Sequence, residues 1–461
     1  MMKTASLSLV VLFVLSALLV ASSGSAAAAY PGCTHTYSAP PAQQWTINSP
    51  GIYCLKAGTY DTQITITSSN VVLTGAPGTD LGQVIIEPSS VVVNNYLSAF
   101  GGLPQAAIIL AGISGSGSNL ADVSVTNLVI DGAAASSSMD NFALCSTDYA
   151  GINFNGAAGL ISNNIVKNIY LPPDQAGCLD GGGINADTNN IAPTEAITIT
   201  NNVVPNYNEY GIACFGAGVE CNVKENTVSF YANYSALAPV FPAGIAILYG
   251  AVGKVSYNIA SGNECNVPTI CGPDYVSQYL GQGILTEESG AGTVVSGNTV
   301  YRNDIGIWNY DDSASSTNNL VLNNRGEGIV LTDGTYTPSD NLISGSQIGI
   351  AVSSDGFAGN PTEAGLMFNH FIGKFPQALV QVVAYSAPYA YAYGPYAEPV
   401  TVTIDGLSVT VTPGVSGIPT YVNLTSLPGP WNFPVAVLTQ ETMGVQAFEG
   451  CLNTLQLPLR P

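Results

Sequence analysis

Acidic side chains recur at one phase of a short period. Counted from the glycine of Gly283-Ile284, Glu287 and Glu288 fall at offsets four and five. From Gly306-Ile307, Asp311 and Asp312 fall at five and six; from Gly328-Ile329, Asp333 falls at five; from Gly349-Ile350, Asp355 falls at six. If successive segments stack as parallel strands, neighbouring carboxylates lie about 5 Å apart, and unscreened like charges that close repel. Three arrangements relieve them. Glu287, Glu288, Asp311 and Asp333 could hold Ca2+, which takes several carboxylate and carbonyl oxygens. The acids could share protons, with raised pKa values. Or the aspartates simply end strands as turn formers, as in Asp333-Gly334 and Asp355-Gly356. A catalytic use would draw on Glu288, Asp311, Asp312 and Asp333 together with Arg302 and Arg325, which sit at offsets minus four and minus three. The plainer fate of the two arginines is pairing with Asp304 and Glu327.

The ruler in these counts is the dipeptide Gly-Ile, spaced by 23, 22 and 21 residues from Gly283 to Gly349. It recurs upstream at Gly151, Gly183, Gly211 and Gly244, at wider intervals. Between the pairs lies a second signature, an Asn followed by two β-prone or small residues, at Asn164, Asn202, Asn226, Asn258, Asn298, Asn319 and Asn341. A period near 22 with strand-like pieces predicts a solenoid whose circuits bury apolar residues against one another. Recurrent Asn at one corner predicts a ladder of stacked amides, each donating and accepting along the stack.

Three circuits carry long insertions at one corner, about 168–182, 228–243 and 260–282. Insertions sharing a corner lie on one side of a solenoid, often the binding side. They contain Tyr170, Asp174 and Asp180, then Tyr231 and Tyr234, then Glu264, Asp274, Tyr275 and Tyr279. With Trp308 and Tyr310 on the Gly-Ile strands, these aromatics and acids would suit sugar rings, which offer apolar faces and hydroxyls. Exposed decoration on a tolerant corner is the alternative.

Composition narrows the partners. Thirty acidic residues face nine basic ones, for a formal charge of −21, yet only 8% of residues are charged. Nucleic acid is excluded as a partner, since phosphates require basic side chains. A polyanionic substrate would need a bridging cation. Few bases and many acids also fit an acidic habitat, where neutral carboxylates leave little self-repulsion, as well as an ordinary acidic secreted protein. Two histidines and no Cys-x-x-Cys argue against zinc.

Residues 1–29 read as a signal peptide: Lys3, an apolar run over 7–21, then small residues. Export permits disulfides. The nine cysteines suggest Cys33 with Cys54, Cys145 with Cys178 on adjacent circuits, Cys214 with Cys221, and Cys265 with Cys271 inside one insertion. Cys451 is left over, open to a disulfide partner or a homo-oligomer. The expected organisation is a signal peptide (1–29), an N-terminal cap segment (30–60), the solenoid (61–375) and a C-terminal β domain or cap (376–461). In that last region a hairpin is predicted over 400–404 and 407–411 around Asp405-Gly406.

The run Gly-Ile, Asn-Asn-x-Val, Gly-Ile resembles the repeats of the pectate-lyase-like superfamily, including its NosD-like secreted members. The resemblance implies an all-β, right-handed parallel β-helix of ten or eleven circuits. It is weak for function, because that fold hosts lyases, glycosidases, epimerases, adhesins and spacers. A β-eliminating lyase of this type would use Arg302 or Arg325 as base beside Ca2+-binding Glu288 and Asp311. The Gly-His-Gly and Arg-x-Lys of pectin hydrolases and the Asp-Pro-His of alginate epimerases are absent. The leading expectation is an exported extracellular or cell-surface protein that binds a polysaccharide or surface glycan, or helps build an envelope. The competing one is a polysaccharide lyase or glycosidase using the carboxylate strip.

Overall fold

The computed structural model describes residues 32–88, 93–97, 104–112, 119–136, 148–170, 181–188, 193, 195–230, 242–264, 281–354, 361–384, 398–404, 407–414, 420–424 and 437–439. Three long parallel sheets of ten, eleven and fifteen strands wrap around one core. As far as Ser315–Thr317 each circuit contributes one strand to each sheet in turn, pairing with its counterpart one circuit on; beyond it Thr335–Tyr336 and Thr362–Leu366 form that wall in a separate four-stranded sheet. The chain is a right-handed parallel β-helix. The eleven-stranded sheet, from Gly58–Tyr60 to His370–Ile372, gives one strand per circuit.

The Gly-Ile pairs all lie in the fifteen-stranded sheet, called here the Gly-Ile sheet. Their register is continuous: Ile152 faces Ile184, Ile184 faces Ile212, and so on through Ile245, Ile284, Ile307, Ile329 and Ile350. These isoleucines are wholly buried in the core. The glycine beside each has no room for a side chain. A Cβ on Gly283 would come within 2.6 Å of the Gly306 carbonyl oxygen and 2.8 Å of the Asn303 amide. The dipeptide therefore records one inward Ile and one point where adjacent backbones and the opposite wall close in.

The amide ladder runs from Asn164 through Asn202, Asn226, Asn258, Asn298, Asn319 and Asn341 to Asn369. Each carboxamide is used at both ends. Asn258 Oδ1 accepts from the backbone N–H and Nδ2 of Asn226, while its own Nδ2 donates to Val223 O and Asn298 Oδ1. The chain enters this corner through a left-handed residue: φ is 56° at Asn201, 57° at Glu225, 56° at Tyr257 and 55° at Asn318.

Strands already coil within 30–60, where Gln44–Ile47 pairs in parallel with Gln63–Ile66 in the Gly-Ile sheet. Cys33 and Cys54 form a disulfide that ties the N-terminal strand to its neighbour. Cys214 and Cys221 form a second, between the Gly-Ile strand and the next wall of one circuit. Cys145, Cys178, Cys265, Cys271 and Cys451 lie outside the described residues. At the far end Ala378–Ala384 is still parallel to Ile348–Ser353, but Thr420–Leu424 and Val437–Thr439 follow it antiparallel. Val400–Ile404 and Leu407–Val411 form the expected hairpin, joined in parallel to Thr362–Leu366.

Candidate functional site

Outside the core, the Gly-Ile strands present two columns of side chains, two and four residues after each glycine. Strand alternation sends these positions to the opposite face from Ile284 and Thr286. Late in the stack the first column holds Leu285, Trp308 and Val330, and the second Glu287, Tyr310 and Thr332. Trp308 and Tyr310 meet edge to face at 5.8 Å and are half-buried. Trp308 Nε1 donates to Thr332 Oγ1 at 3.1 Å, which fixes the indole against the sheet.

One residue further on, most of these strands end in a left-handed corner. Glu288 has φ 46°, Asp311 46° and Asp333 49°. Gly156 and Gly216 hold the same corner in earlier circuits, and Tyr249 holds it just before Glu288. The turn-forming reading of Asp311 and Asp333 accounts for the period: Asp tolerates this region better than most residues. Glu288 and Tyr249 take the same corner without that preference, as Glu225 and Tyr257 do at the amide ladder.

Beside this corner lies a cleft of about 290 Å³ lined by Asp311, Asp312, Asp333, Gly334, Thr335 and Pro361. Asp333 is buried, and its N–H donates to Thr362 Oγ1 at 2.9 Å. Asp312 accepts from Ser289 Oγ at 2.7 Å and from the Ala314 N–H at 3.1 Å. Even so, burial raises Asp312 to about 6, with the Asp311 charge adding to the shift. Burial, then the charges of Glu288 and Asp311, raise Glu287 to about 7. Burial and nearby carboxylates also raise the Tyr210 and Tyr249 phenols, Glu209 and Glu287 acting on both.

Among the described residues no three His, Cys, Asp or Glu side chains converge as a metal site. The residues expected to hold Ca2+, Glu287, Glu288, Asp311 and Asp333, occupy different levels of the strip. Glu287 lies on the sheet face, Glu288 is exposed at the corner and Asp333 is buried below it. The raised pKa values of Glu287 and Asp312 lessen the repulsion along the strip as pH falls below neutrality.

Arg302 and Arg325 do not reach this strip. They precede the strands Ile305–Tyr310 and Glu327–Thr332, whereas Glu288, Asp311 and Asp333 follow strand ends. Six strand residues at about 3.3 Å each hold the two groups roughly 20 Å apart. Arg302 is an exposed left-handed turn residue with φ 55°. Arg325 pairs with buried Asp304 at 2.9 Å, not with Glu327. Glu327 is raised to about 8 by burial and by the Asp304 charge, which outweigh Arg325. A lyase-like Arg beside Glu288 and Asp311 is not formed.

Tyr170 lies before the strand Gly181–Asp187, four strands before Trp308, roughly 19 Å along the stack. It does not join the Trp308–Tyr310 pair. Tyr231, Tyr234, Tyr275 and Tyr279 lie outside the described residues, as do Asp174, Asp180, Asp274 and Asp355. Tyr249 was findable from the repeat, since it stands at offset five from Gly244, one circuit before Glu288.

Residues 190–362 match the family described as right handed beta helix region. Comparison with curated proteins returns no match. Among solved structures the chain is similar to a GH136 lacto-N-biosidase from Eubacterium ramulus, at 12% identity and TM-score 0.49, over 80% of this chain and 67% of that one. It is similar to pectate lyase Pel9A at 13% identity and TM-score 0.32, over 70% and 69%. It is also similar to a DFA-IIIase variant from Arthrobacter chlorophenolicus A6 solved with DFA-III, at 13% identity and TM-score 0.37, over 78% and 85%. The matched family model and the three wrapped sheets agree in architecture: the chain is a right-handed parallel β-helix protein.

Proposed function

We propose that this is an exported protein that binds a neutral polysaccharide or surface glycan along the outer face of the late Gly-Ile strands. The observation that carries the reading is the Trp308–Tyr310 pair, held edge to face beside Glu287 and the acidic corner at Asp311. Fixed aromatic faces next to hydrogen-bonding oxygens match the alternating apolar and hydroxyl surfaces of a sugar ring. The two disulfides fit an oxidising compartment. The formal charge of −21 disfavours uronate-rich polymers.

The test is binding to panels of neutral and acidic polysaccharides at pH 4 and pH 7. Neutral glycans should bind, and Trp308→Ala should weaken binding by about tenfold or more, as loss of a central aromatic anchor does. No binding to any glycan, or unchanged binding in both Trp308→Ala and Tyr310→Ala, would overturn the reading.

One observation favours a second reading, glycoside hydrolysis. Glu287, raised to about 7, would be a proton donor at working pH, with Glu288 or Asp311 as the ionised partner. Reducing-sugar release that disappears in Glu287→Gln while binding persists would establish it.

A further inference from the structure

Earlier on the same sheet, its outer face carries a different arrangement. In the adjacent strands Asp148–Asn155 and Gly181–Asp187, Asn153 faces Asn185 and Asn155 faces Asp187. Two-residue alternation puts all four side chains on the outer face, at the corners of a rectangle roughly 4.8 Å by 6.7 Å. Asn153, Asn155 and Asp187 are buried. Asn153 Nδ2 donates to Asp187 Oδ2 at 3.1 Å, which fixes which end of the Asn153 amide is nitrogen. Its oxygen is left without a donor, and Asn185 Oδ1 is likewise buried without one.

The strand neighbours of the two amides are apolar. Leu110 flanks Asn153, Ala213 flanks Asn185 in the next strand, and both are fully buried. Space has been made for the Asn185 carboxamide, whose oxygen lies 2.5 Å from where a Cβ on Gly182 would stand. A buried amide oxygen with no partner loses its hydration without compensation. Two such oxygens beside a carboxylate, on a shared patch, form a cluster of acceptors.

We propose that Asn153, Asn155, Asn185 and Asp187 form a binding site for a hard cation, with Ca2+ as the natural occupant. Ca2+ takes oxygen ligands at about 2.3–2.6 Å, so ligand oxygens around it span up to about 5 Å, the spacing of side chains on neighbouring strands. Amide oxygens with one carboxylate give low charge, which places the affinity with weak extracellular sites, about 10⁻⁴–10⁻³ M. The site lies three strands from Glu287, about 14 Å along the stack, and does not depend on glycan binding there.

The experiment is calorimetric titration of the full chain with Ca2+ after EDTA treatment, alongside thermal unfolding. A single saturable site in the wild type is expected. Asp187→Asn, which is nearly isosteric, should weaken it by about tenfold or more, and Asn185→Asp should tighten it by adding a second carboxylate. The tightening arm cannot arise from misfolding. Absence of Ca2+ uptake up to 10 mM (about ten times the weakest Kd expected), or uptake indifferent to both substitutions, overturns the proposal and leaves ordered water as the occupant.

Discussion

Asparagine is used in two opposite ways here. In the corner ladder every amide is matched: Asn258 gives two hydrogen bonds and receives two from Asn226. On the outer face Asn153 is as enclosed as a ladder residue and Asn185 is half-buried, yet the oxygens of both are buried and find no donor. The difference lies in the geometry of repetition. At the corner, identical residues in successive circuits stand one above another, so each donor meets the next acceptor. On the sheet face the repetition lasts for only two strands, between Leu110 and Ala213, and two like amides cannot complete each other. A repeated polar residue is a structural element; a polar residue repeated once and enclosed is a candidate ligand.

That contrast breaks most visibly by deletion. Asn258→Ala should cost about 3–5 kcal/mol, because the Asn226 N–H, the Asn226 amide and the Val223 carbonyl all lose partners. Asn185→Ala in EDTA should change stability by less than about 1 kcal/mol, since it removes an oxygen that was already unmatched. Denaturant unfolding of the two variants measures both, and equal losses would erase the distinction.

A smaller effect is expected at the start of the late strands. Arg325→Ala leaves Asp304 without its cation. The guanidinium is 34% exposed, so the loss should be about 2 kcal/mol, below the range for a fully buried pair. Restoration by Asp304→Asn in the same chain would show that the cost is the stranded charge.

The pH dependence separates the uncharged ladder from the acidic face. Glu287 and Glu327 have folded-state pKa values near 7 and 8, above the ordinary 4.5. A raised carboxylate stabilises the fold fully below its unfolded pKa and loses that contribution as pH rises through the folded value. Their share of stability should therefore be present at pH 4 and vanish between about pH 4.5 and 8. Glu287→Gln and Glu327→Gln should each flatten the fall in melting temperature by about 2–4 °C. A melting temperature that rises over this window in the wild type, with no change in either variant, would contradict the assignments.

The fold was legible because its signals repeat. Gly-Ile marks a spot where only Gly fits, and Asn164 to Asn341 mark a corner where only a side-chain amide both gives and takes. The acidic corner was legible as a period, and the left-handed φ of Asp311 and Asp333 explains it. The distance between arginines and acids was also present in the offsets: minus four and plus five straddle a six-residue strand. A second buried amide row, Asn263, Asn303 and Asn324, stands five residues after ladder members and could have been counted too. The Asn153–Asp187 patch could not be. It occurs once, and its meaning depends on which atoms lack partners, something no spacing encodes.

One consequence concerns reach. In the described strands each circuit pairs with its immediate neighbours through a shared register, Ile284 to Ile307 to Ile329. Removing 306–327 would bring Gly283 beside Gly328 and shorten the rod by a single step of about 4.8 Å. Evolution can thus alter how far such a molecule extends from a surface by duplicating or dropping circuits, without redesigning any of them. The antiparallel strands at Thr420–Leu424 and Val437–Thr439 decide where that counting stops.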